Sequence, residues 1–447
     1  MAFSTLDTIV AIATPAGRGG IGVVRVSGPD AVEIAAALTG HDTFQPRHAT
    51  LVRVRAAGTV DQALVTYFPA PHSYTGEQVV EISAHGSPVL LHGIVTASLQ
   101  AGARLAEPGE FTLRAYLHGR MDLVQAEAVQ DLVAAVTPLQ ARSAFDQLDG
   151  TLTGRIREID AALFDLSVRL EASLDFAGEG YHFVDPGLVA SEIEDVITSI
   201  ATLLRQARAG RLVREGATVV ILGRPNAGKS TLFNSLAGAS RAIVTDIPGT
   251  TRDLLTEVID VCGIAVTLTD TAGIRQVPND AVEVEGISRA RAAASNASLA
   301  LILLDRSRPL ESDDRALLQA TIMTPRIIVF SKADLPSAWA EASLCGIAVS
   351  GSTGLGLETL RTEMNLSLGL SPDYRDAPAI TNIRHIDLLT KTAAALERAR
   401  ATACVSLPEE LVAADIAEAR VILEEITGSR TAEDTLTTIF ARFCIGK

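Results

Sequence analysis

The 447 residues carry 38 basic and 53 acidic side chains, a net charge of −15, so a bulk basic footprint for nucleic acid is missing. Hydrophobic residues make up 47% and aromatics only 4%, enough for large cores built from Ala, Val, Leu and Ile, yet the longest apolar run, Leu299 to Leu304, is far too short to span a bilayer. The N-terminus has no basic stretch before an apolar core, and Cys262, Cys345, Cys404 and Cys444 lie far apart with no CxxC pair, which predicts a reduced, cytoplasmic protein without a disulfide framework or zinc site.

Residues 1–118 alternate apolar strands with Gly-rich turns; DTIVAIATPAGRGGIGVVRVSG reads as strand, glycine loop, strand. From residue 119 the period changes. Ile156, Ile159, Leu163, Leu166 and Leu170 recur at helical spacing, and Ile193, Val196, Ile200 and Leu203 repeat it, so residues 119–214 read as all-helical. Residues 215–374 open with a short β-branched strand and a Gly-rich loop. The runs VTLTD, LALILLD, RIIVFSK and GIAVSG then alternate with helical patterns, which predicts a mostly parallel α/β sheet. Over residues 375–447 helical periodicity resumes, with Leu411, Val421, Ile422 and Ile426 and then Leu436, Ile439, Phe440 and Phe443 as its apolar positions. The fold class is therefore multidomain α+β and α/β: a mixed α+β N-terminal domain, then a helical domain interrupted by an inserted α/β domain.

The stretch GRPNAGKS, Gly223 to Ser230, fits G-x-x-x-x-G-K-[ST]. Its glycines let backbone N–H groups curl around phosphates, and the following helix points its N-terminus at the same anions. Lys229 can reach the outer phosphates and Ser230 can ligate Mg²⁺. DTAG, Asp270 to Gly273, follows a strand; Asp270 can hold the Mg²⁺ shell, and the Gly273 N–H can bond the last phosphate. SKAD, Ser331 to Asp334, ends another strand, where Asp334 can accept from the guanine ring nitrogen and exocyclic amine that adenine cannot match. VSGSTGLG, from Val349, would close over the base.

These motifs, in this order, resemble those of guanine-nucleotide-binding P-loop GTPases. The usual base-reading motif is NKxD, and Ser331 stands in place of its Asn. Ile274 occupies the position where many such proteins carry a water-orienting Gln. Two acidic residues, Glu283 and Glu285, lie beyond DTAG; their bland reading is a solvated helix start. In VTDIPGTTRD, Thr250 and Thr251 are the switch threonines, one of which can complete Mg²⁺ coordination. The carbonyls of this loop and the side-chain oxygen of Asn226 can together cage a monovalent cation.

The quoted motifs, with ATPAGRGGIGVVRVSG, YTGEQVVEISAHGSP, EPGEFTLRAYLHGRMDLVQAEAVQDL and the terminal CIGK, are similar to the tRNA modification GTPase family MnmE (TrmE) along essentially the whole chain. The resemblance implies nucleotide contacts at Asn226, Ala227, Gly228, Lys229, Ser230, Thr231, Thr245, Asp246, Ile247, Pro248, Gly249, Thr250, Thr251, Asp270, Thr271, Ala272, Gly273, Lys332 and Asp334. It implies Mg²⁺ at Ser230 and Thr251, and K⁺ at Asn226, Thr245, Ile247 and Thr250, with the G domains dimerising across their nucleotide faces. Glu283 aligns with the acid that orients water through a second water, with Glu285 as the fallback. A site for 5-formyltetrahydrofolate or a related tetrahydrofolate is implied at Arg25, Glu81, Arg120 and Lys447; Arg120 stands where the family commonly has Lys.

The implied partners are a second copy through the N-terminal domain, the FAD-containing protein MnmG (GidA) in a heterotetramer, and tRNA, with no membrane. The implied reaction is addition of an aminomethyl or carboxymethylaminomethyl group to carbon-5 of the wobble uridine, with a folate one-carbon unit and GTP-driven G-domain closure. The alternatives are a non-enzymatic GTP switch such as a ribosome-assembly factor, and an ATP-using P-loop enzyme, against which Asp334 argues. The tail FCIGK is not a prenylation box, since Lys447 is a poor terminal residue for one. The resemblance instead makes Cys444 a functional thiol of tRNA modification, on a short mobile tail that reaches toward the folate.

Overall fold

The structure, a computed structural model, describes residues 6–175, 185–239, 255–270, 292, 294–338, 344–369, 380–405 and 408–446. The chain divides into two compact units: Met1–Gln130 with Leu148–Arg157 and Arg420–Lys447, and Asp131–Gln147 with Glu158–Ala419.

The first unit is built on a six-stranded sheet of β1 (Ile9–Ile12), β2 (Gly19–Ser27), β3 (Thr50–Ala56), β4 (Thr59–Phe68), β5 (Val79–Gly86) and β6 (Arg104–Leu105), in the order β3-β4-β5-β2-β1-β6. Only the β1–β6 pair is parallel. Strand alternation sends Val24, Val26, Val65, Val80 and Ile82 to one face, where they pack on Ile34, Leu38, Leu91 and Ile94 of α1 (Ala31–Thr39) and α2 (Pro88–Gln100). The same alternation sends Arg25 and Glu81 to the other face. Ile9 and Ala11 lie on that face too and pack on Phe111 of α3 (Glu110–Leu117). The chain's end joins this unit: Phe440, on α13 (Glu433–Phe440), and Phe443 bury themselves against Leu113, Leu123 and Ala126.

The long helices α4 (Leu123–Ala134), α5 (Pro138–Leu148), α6 (Thr151–Asp175) and α7 (Pro186–Glu215) follow in order, and α11 (Ile383–Cys404) and α12 (Glu409–Thr427) come after the second sheet. The expected stripes on α6 and α7 are buried, Leu163 and Ile193 completely. The stripe on α12 differs from expectation. Leu411 and Val421 are exposed, and the buried positions are Val412, Ile416, Ala419, Leu423 and Ile426, a continuous 3.6-residue repeat that runs one or two residues out of phase with them.

The second unit holds the other sheet: β7 (Ala217–Gly223), β8 (Leu255–Val261), β9 (Ile264–Asp270), β10 (Leu299–Asp305), β11 (Arg326–Ser331) and β12 (Ile347–Ala348), in the order β12-β11-β10-β7-β9-β8. Every pairing but β8–β9 is parallel. Central β10 is buried along Leu299–Leu304, which explains its unbroken apolar run. Helices α8 (Lys229–Ala239), α9 (Ser312–Ala320) and α10 (Leu357–Ser367) flank the sheet. Among the described residues, no helix is long and apolar enough to cross a membrane.

Candidate functional site

In an open parallel sheet, ligands are received at the carboxyl ends of the strands. β7 ends there at Gly223, in register with Leu303 of β10. A Cβ on Gly223 would lie 2.8 Å from the Leu303 carbonyl oxygen, so only glycine lets the loop leave the sheet at that point. Asn226 takes a left-handed φ of 63° at the exposed loop tip, and the loop then delivers Lys229 to the start of α8. Leu232, Phe233 and Leu236 anchor α8 in the core, while Ser230 and Thr231 stay exposed on its first turn. Lys229 is 8% exposed, and its Nζ donates to the carbonyls of Gly223 and Arg224, both at 2.8 Å. The cation is thus curled onto the loop that would wrap a phosphate.

β11 delivers the other half. It ends at Ser331, and Lys332 turns the chain at a φ of 58°. Lys332 Nζ donates to Asp305 Oδ2 at 2.6 Å, and Asp305 Oδ1 also accepts from the Ser307 N–H and hydroxyl. Burial pushes the Asp305 carboxyl up, but the bonds from Lys332 and Ser307 outweigh it and hold the group below its ordinary value. Asp334 is held low chiefly by the Ser350 hydroxyl, with help from Ser352 and the Lys332 charge, so it is an acceptor at neutral pH. Gly228 and Thr231 from the loop side, and Ser331, Lys332, Asp334 and Ser352 from the base side, line one cavity of about 220 Å³.

Of the expected nucleotide residues, the structure therefore brings Gly228, Thr231, Lys332 and Asp334 together, with Asn226, Ala227, Lys229 and Ser230 on the adjoining loop and helix. Asp270 ends β9 opposite Ile221 of β7. The segments Thr245–Thr251 and Thr271–Gly273, and Glu283, Glu285 and Lys447, lie outside the described residues. Two features escaped the sequence reading. Asp305 fixes Lys332, and its signal was an Asp closing an apolar strand, as Asp270 does. Arg224 is paired with Glu311 at 2.6 Å, with Asp314 and Asp313 at 3.7 and 3.8 Å, and the Glu311 bond raises its already high pKa.

On the first unit, Arg25 and Glu81 face each other in register on β2 and β5. Arg25 Nε and Nη2 both donate to Glu81 Oε1, at 2.9 and 2.8 Å. The guanidinium lies 5.0 Å from the ring centre of Tyr74 and 5.6 Å from that of Phe111. Tyr74 is held in turn by Thr112 at 2.9 Å. A carboxylate, a guanidinium and two aromatic faces suit a flat heterocycle with N–H donors. The tail reaches this pair. Arg25 Nη1 lies 3.5 Å from the Gly446 carbonyl, and the Gly109 N–H donates to the Cys444 carbonyl at 3.4 Å. The expected mobile tail is docked instead. Gly446 is buried at a φ of 96°, and a Cβ there would lie 2.3 Å from the Ile12 carbonyl oxygen. Cys444 itself is exposed. Arg120 is not joined to the pair: it lines a cleft of about 560 Å³ with Tyr116, Asp122, Arg157, Gly428 and Ser429. Tyr74, Phe111 and Thr112 were missed as site residues, although they sit in YTGEQ and EPGEFT.

A glycine loop feeding a helix, and a carboxylate at the base-reading turn of a mostly parallel sheet, define a P-loop GTPase domain. Residues 8–120 match the family described as GTP-binding protein TrmE N-terminus, and residues 123–444 match the MnmE helical domain. The chain is 45% identical to the tRNA modification GTPase MnmE of Xanthomonas campestris pv. campestris (strain B100), over 99% of each chain. Identity is 41% to that of Legionella pneumophila subsp. pneumophila (strain Philadelphia 1), over 99% of this chain and 100% of the relative. It is 42% to that of Koribacter versatilis (strain Ellin345), over 99% of each. The chain belongs to the MnmE family of tRNA modification GTPases.

Proposed function

We propose that the chain is a potassium-activated GTPase that acts with the flavoprotein MnmG, installing an aminomethyl-type group on the wobble uridine of tRNA from a tetrahydrofolate one-carbon unit. The observation that carries the reading is the single cavity shared by Gly228 and Thr231 with Lys332 and Asp334, in a chain of this family. The loop amides and Lys229 hold the phosphates, and Asp334 selects guanine. Lys229 exchanges two carbonyl acceptors for phosphate oxygens, so its charge is positioned before nucleotide arrives. Ser230 and Thr251 would hold Mg²⁺, and Asn226, Thr245, Ile247 and Thr250 the potassium ion; these cations supply charge where the phosphates separate. Glu283 orients the attacking water. GTP turnover is expected to be many-fold faster in K⁺ than in Na⁺ at equal ionic strength, and equal rates would remove potassium from the reading.

The N-terminal face takes the folate between Arg25, Glu81 and the aromatic pair; Arg120 and Lys447 are assigned to the folate site on the resemblance alone. Association of two N-terminal domains is supported by Leu51 and Leu64. They are opposed across β3 and β4, 66% and 43% exposed, on the same face as Glu81. The decisive experiment is nucleoside analysis of tRNA from a deletion strain complemented with variants. Arg25→Ala and Cys444→Ser are both expected to spare GTP hydrolysis and to lose the modified wobble uridine. Unmodified and complemented strains with identical wobble uridines would sink the reading in favour of a GTP switch.

A further inference from the structure

We propose that the cleft lined by Arg120, Asp122 and Arg157 is a subsite for a γ-linked glutamyl tail, so that the protein takes polyglutamylated tetrahydrofolate in preference to the monoglutamate. The inference rests on the folate reading above and deepens it. The cleft starts where the aromatic site ends. Tyr74, whose ring meets the Arg25 guanidinium, opens a turn that runs on through Thr75 and Gly76. The Nδ1–H of His118 donates to the Thr75 carbonyl at 2.8 Å. Gly76 has a φ of 82°, and a Cβ there would lie 2.9 Å from the His118 Cβ and 3.4 Å from the Arg120 Cγ. Only glycine lets this turn lie so close to the connection between α3 and α4. A ligand whose ring sits by Tyr74 and Phe111 therefore has only this turn to cross before its far end enters the cleft.

The cleft, about 560 Å³, has the volume of a small-ligand site. Its two guanidiniums are not committed to the protein. Arg120 is exposed, and its side chain makes no ion pair among the described residues. Arg157 is 74% exposed and stands 3.9 Å from Asp122, beyond hydrogen-bond reach. The turn after α12 adds the Thr427 and Ser429 hydroxyls, 3.3 Å apart. Glu424, the acid before that turn, is occupied by Arg430 at 2.6 Å. These groups suit an anion. Asp122 needs something else. Its Oδ1 accepts from the Gln125 N–H at 2.9 Å, but its Oδ2 is buried without a hydrogen-bond donor. A carboxylate oxygen left so carries a desolvation cost that a ligand N–H would offset. A γ-glutamyl chain brings both partners: a carboxylate on each unit for the guanidiniums and hydroxyls, and an amide N–H at each link for Asp122. A phosphate group carries the charge without the N–H, so it matches the arginines and not Asp122.

The test titrates 5-formyltetrahydrofolate, as its monoglutamate and its triglutamate, into the full-length protein by calorimetry. The triglutamate is expected to bind about tenfold more tightly, the scale of one charge-assisted hydrogen bond. Most of that advantage should disappear at high salt, because Arg157 is exposed. Arg157→Ala is expected to bring the two affinities within about twofold of each other by weakening the triglutamate alone. Arg157→Glu is expected to reverse their order through like-charge repulsion. GTP turnover, unchanged in both variants, serves as the fold control. Equal affinities of the unaltered protein for the two forms overturn the inference, as does an Arg157→Ala variant that keeps the full preference. Should that variant keep the preference and bind tRNA more weakly instead, the cleft belongs to RNA phosphate. If the unaltered protein binds neither form, the folate reading falls with the inference; if it binds both equally, that reading stands and this inference alone is lost.

Discussion

Lys229→Ala is expected to lower GTP turnover by about 10³-fold, the scale of removing a positioned cation from a developing phosphate charge. Lys229 is 8% exposed and its ammonium is already bonded to two loop carbonyls, so little entropy remains to be lost when it turns to phosphate oxygens. Lys229→Arg is expected to rescue poorly, because a planar fork cannot occupy the volume of a compact ammonium curled on Gly223 and Arg224. The fold should tolerate the change. α8 is anchored by Leu232, Phe233 and Leu236, and the freed carbonyls lie at a loop open to water. Phosphate release under saturating GTP, with circular dichroism as the fold control, measures the effect. Retention of a tenth of the activity would place the catalytic charge elsewhere.

The glycine loop after β7 and the acidic turn after β11 were legible as candidate phosphate and base contacts because each is a few contiguous residues at a strand end. GRPNAGKS and SKAD can be read for that chemistry without knowing what surrounds them. Partnerships made by strand register were not legible. Arg25 meets Glu81 across 56 residues of sequence, and nothing in either local stretch says that β2 lies beside β5. Asp305 fell in the same class: it looked like the polar end of a buried strand until parallel pairing set it opposite Ser331 and within reach of Lys332. The terminal glycine illustrates the same limit. CIGK reads as a tail, and only the packing of Gly446 on Ile12 makes its lack of a side chain a structural requirement. Helical phase on α12 failed for a simpler reason. Leu411 and Val421 are apolar, but the stripe of Val412, Ile416, Ala419, Leu423 and Ile426 is longer and better spaced, and it takes the core.

Arg114→Met is expected to destabilise the N-terminal sheet by about 3–5 kcal/mol, the cost of leaving buried carboxylates without their cation. Arg114 is 1% exposed. Its Nη1 donates to the Asp7 carbonyl at 2.7 Å and to Glu77 at 3.1 Å; its Nη2 donates to Asp7 Oδ1 at 2.6 Å and to Glu110 at 2.9 Å. Arg104 reinforces Glu110 and Asp7 from the other side. The network joins the residues before β1, the loop that carries Tyr74, and the helix that carries Phe111, so it frames the two rings flanking Arg25. Binding at the proposed folate face should therefore weaken together with stability. The acid side gives a second signature. The Arg104 hydrogen bond, above all, holds Asp7 below its ordinary value; burial pushes Glu110 up, but bonds from Arg104, the Glu107 N–H and Arg114 outweigh it and leave it low. Carboxyls depressed in the folded state contribute stability that is present above their unfolded value near pH 4 and is lost as pH falls through the folded value. The unaltered protein should thus lose stability below about pH 4, and Arg114→Met should lose less there, because part of that contribution is already gone. Hydrogen exchange of the β1 and α3 amides, followed at neutral and acid pH, reads both effects locally. Equal protection in the variant and the unaltered protein at neutral pH would show that the network does not anchor this face.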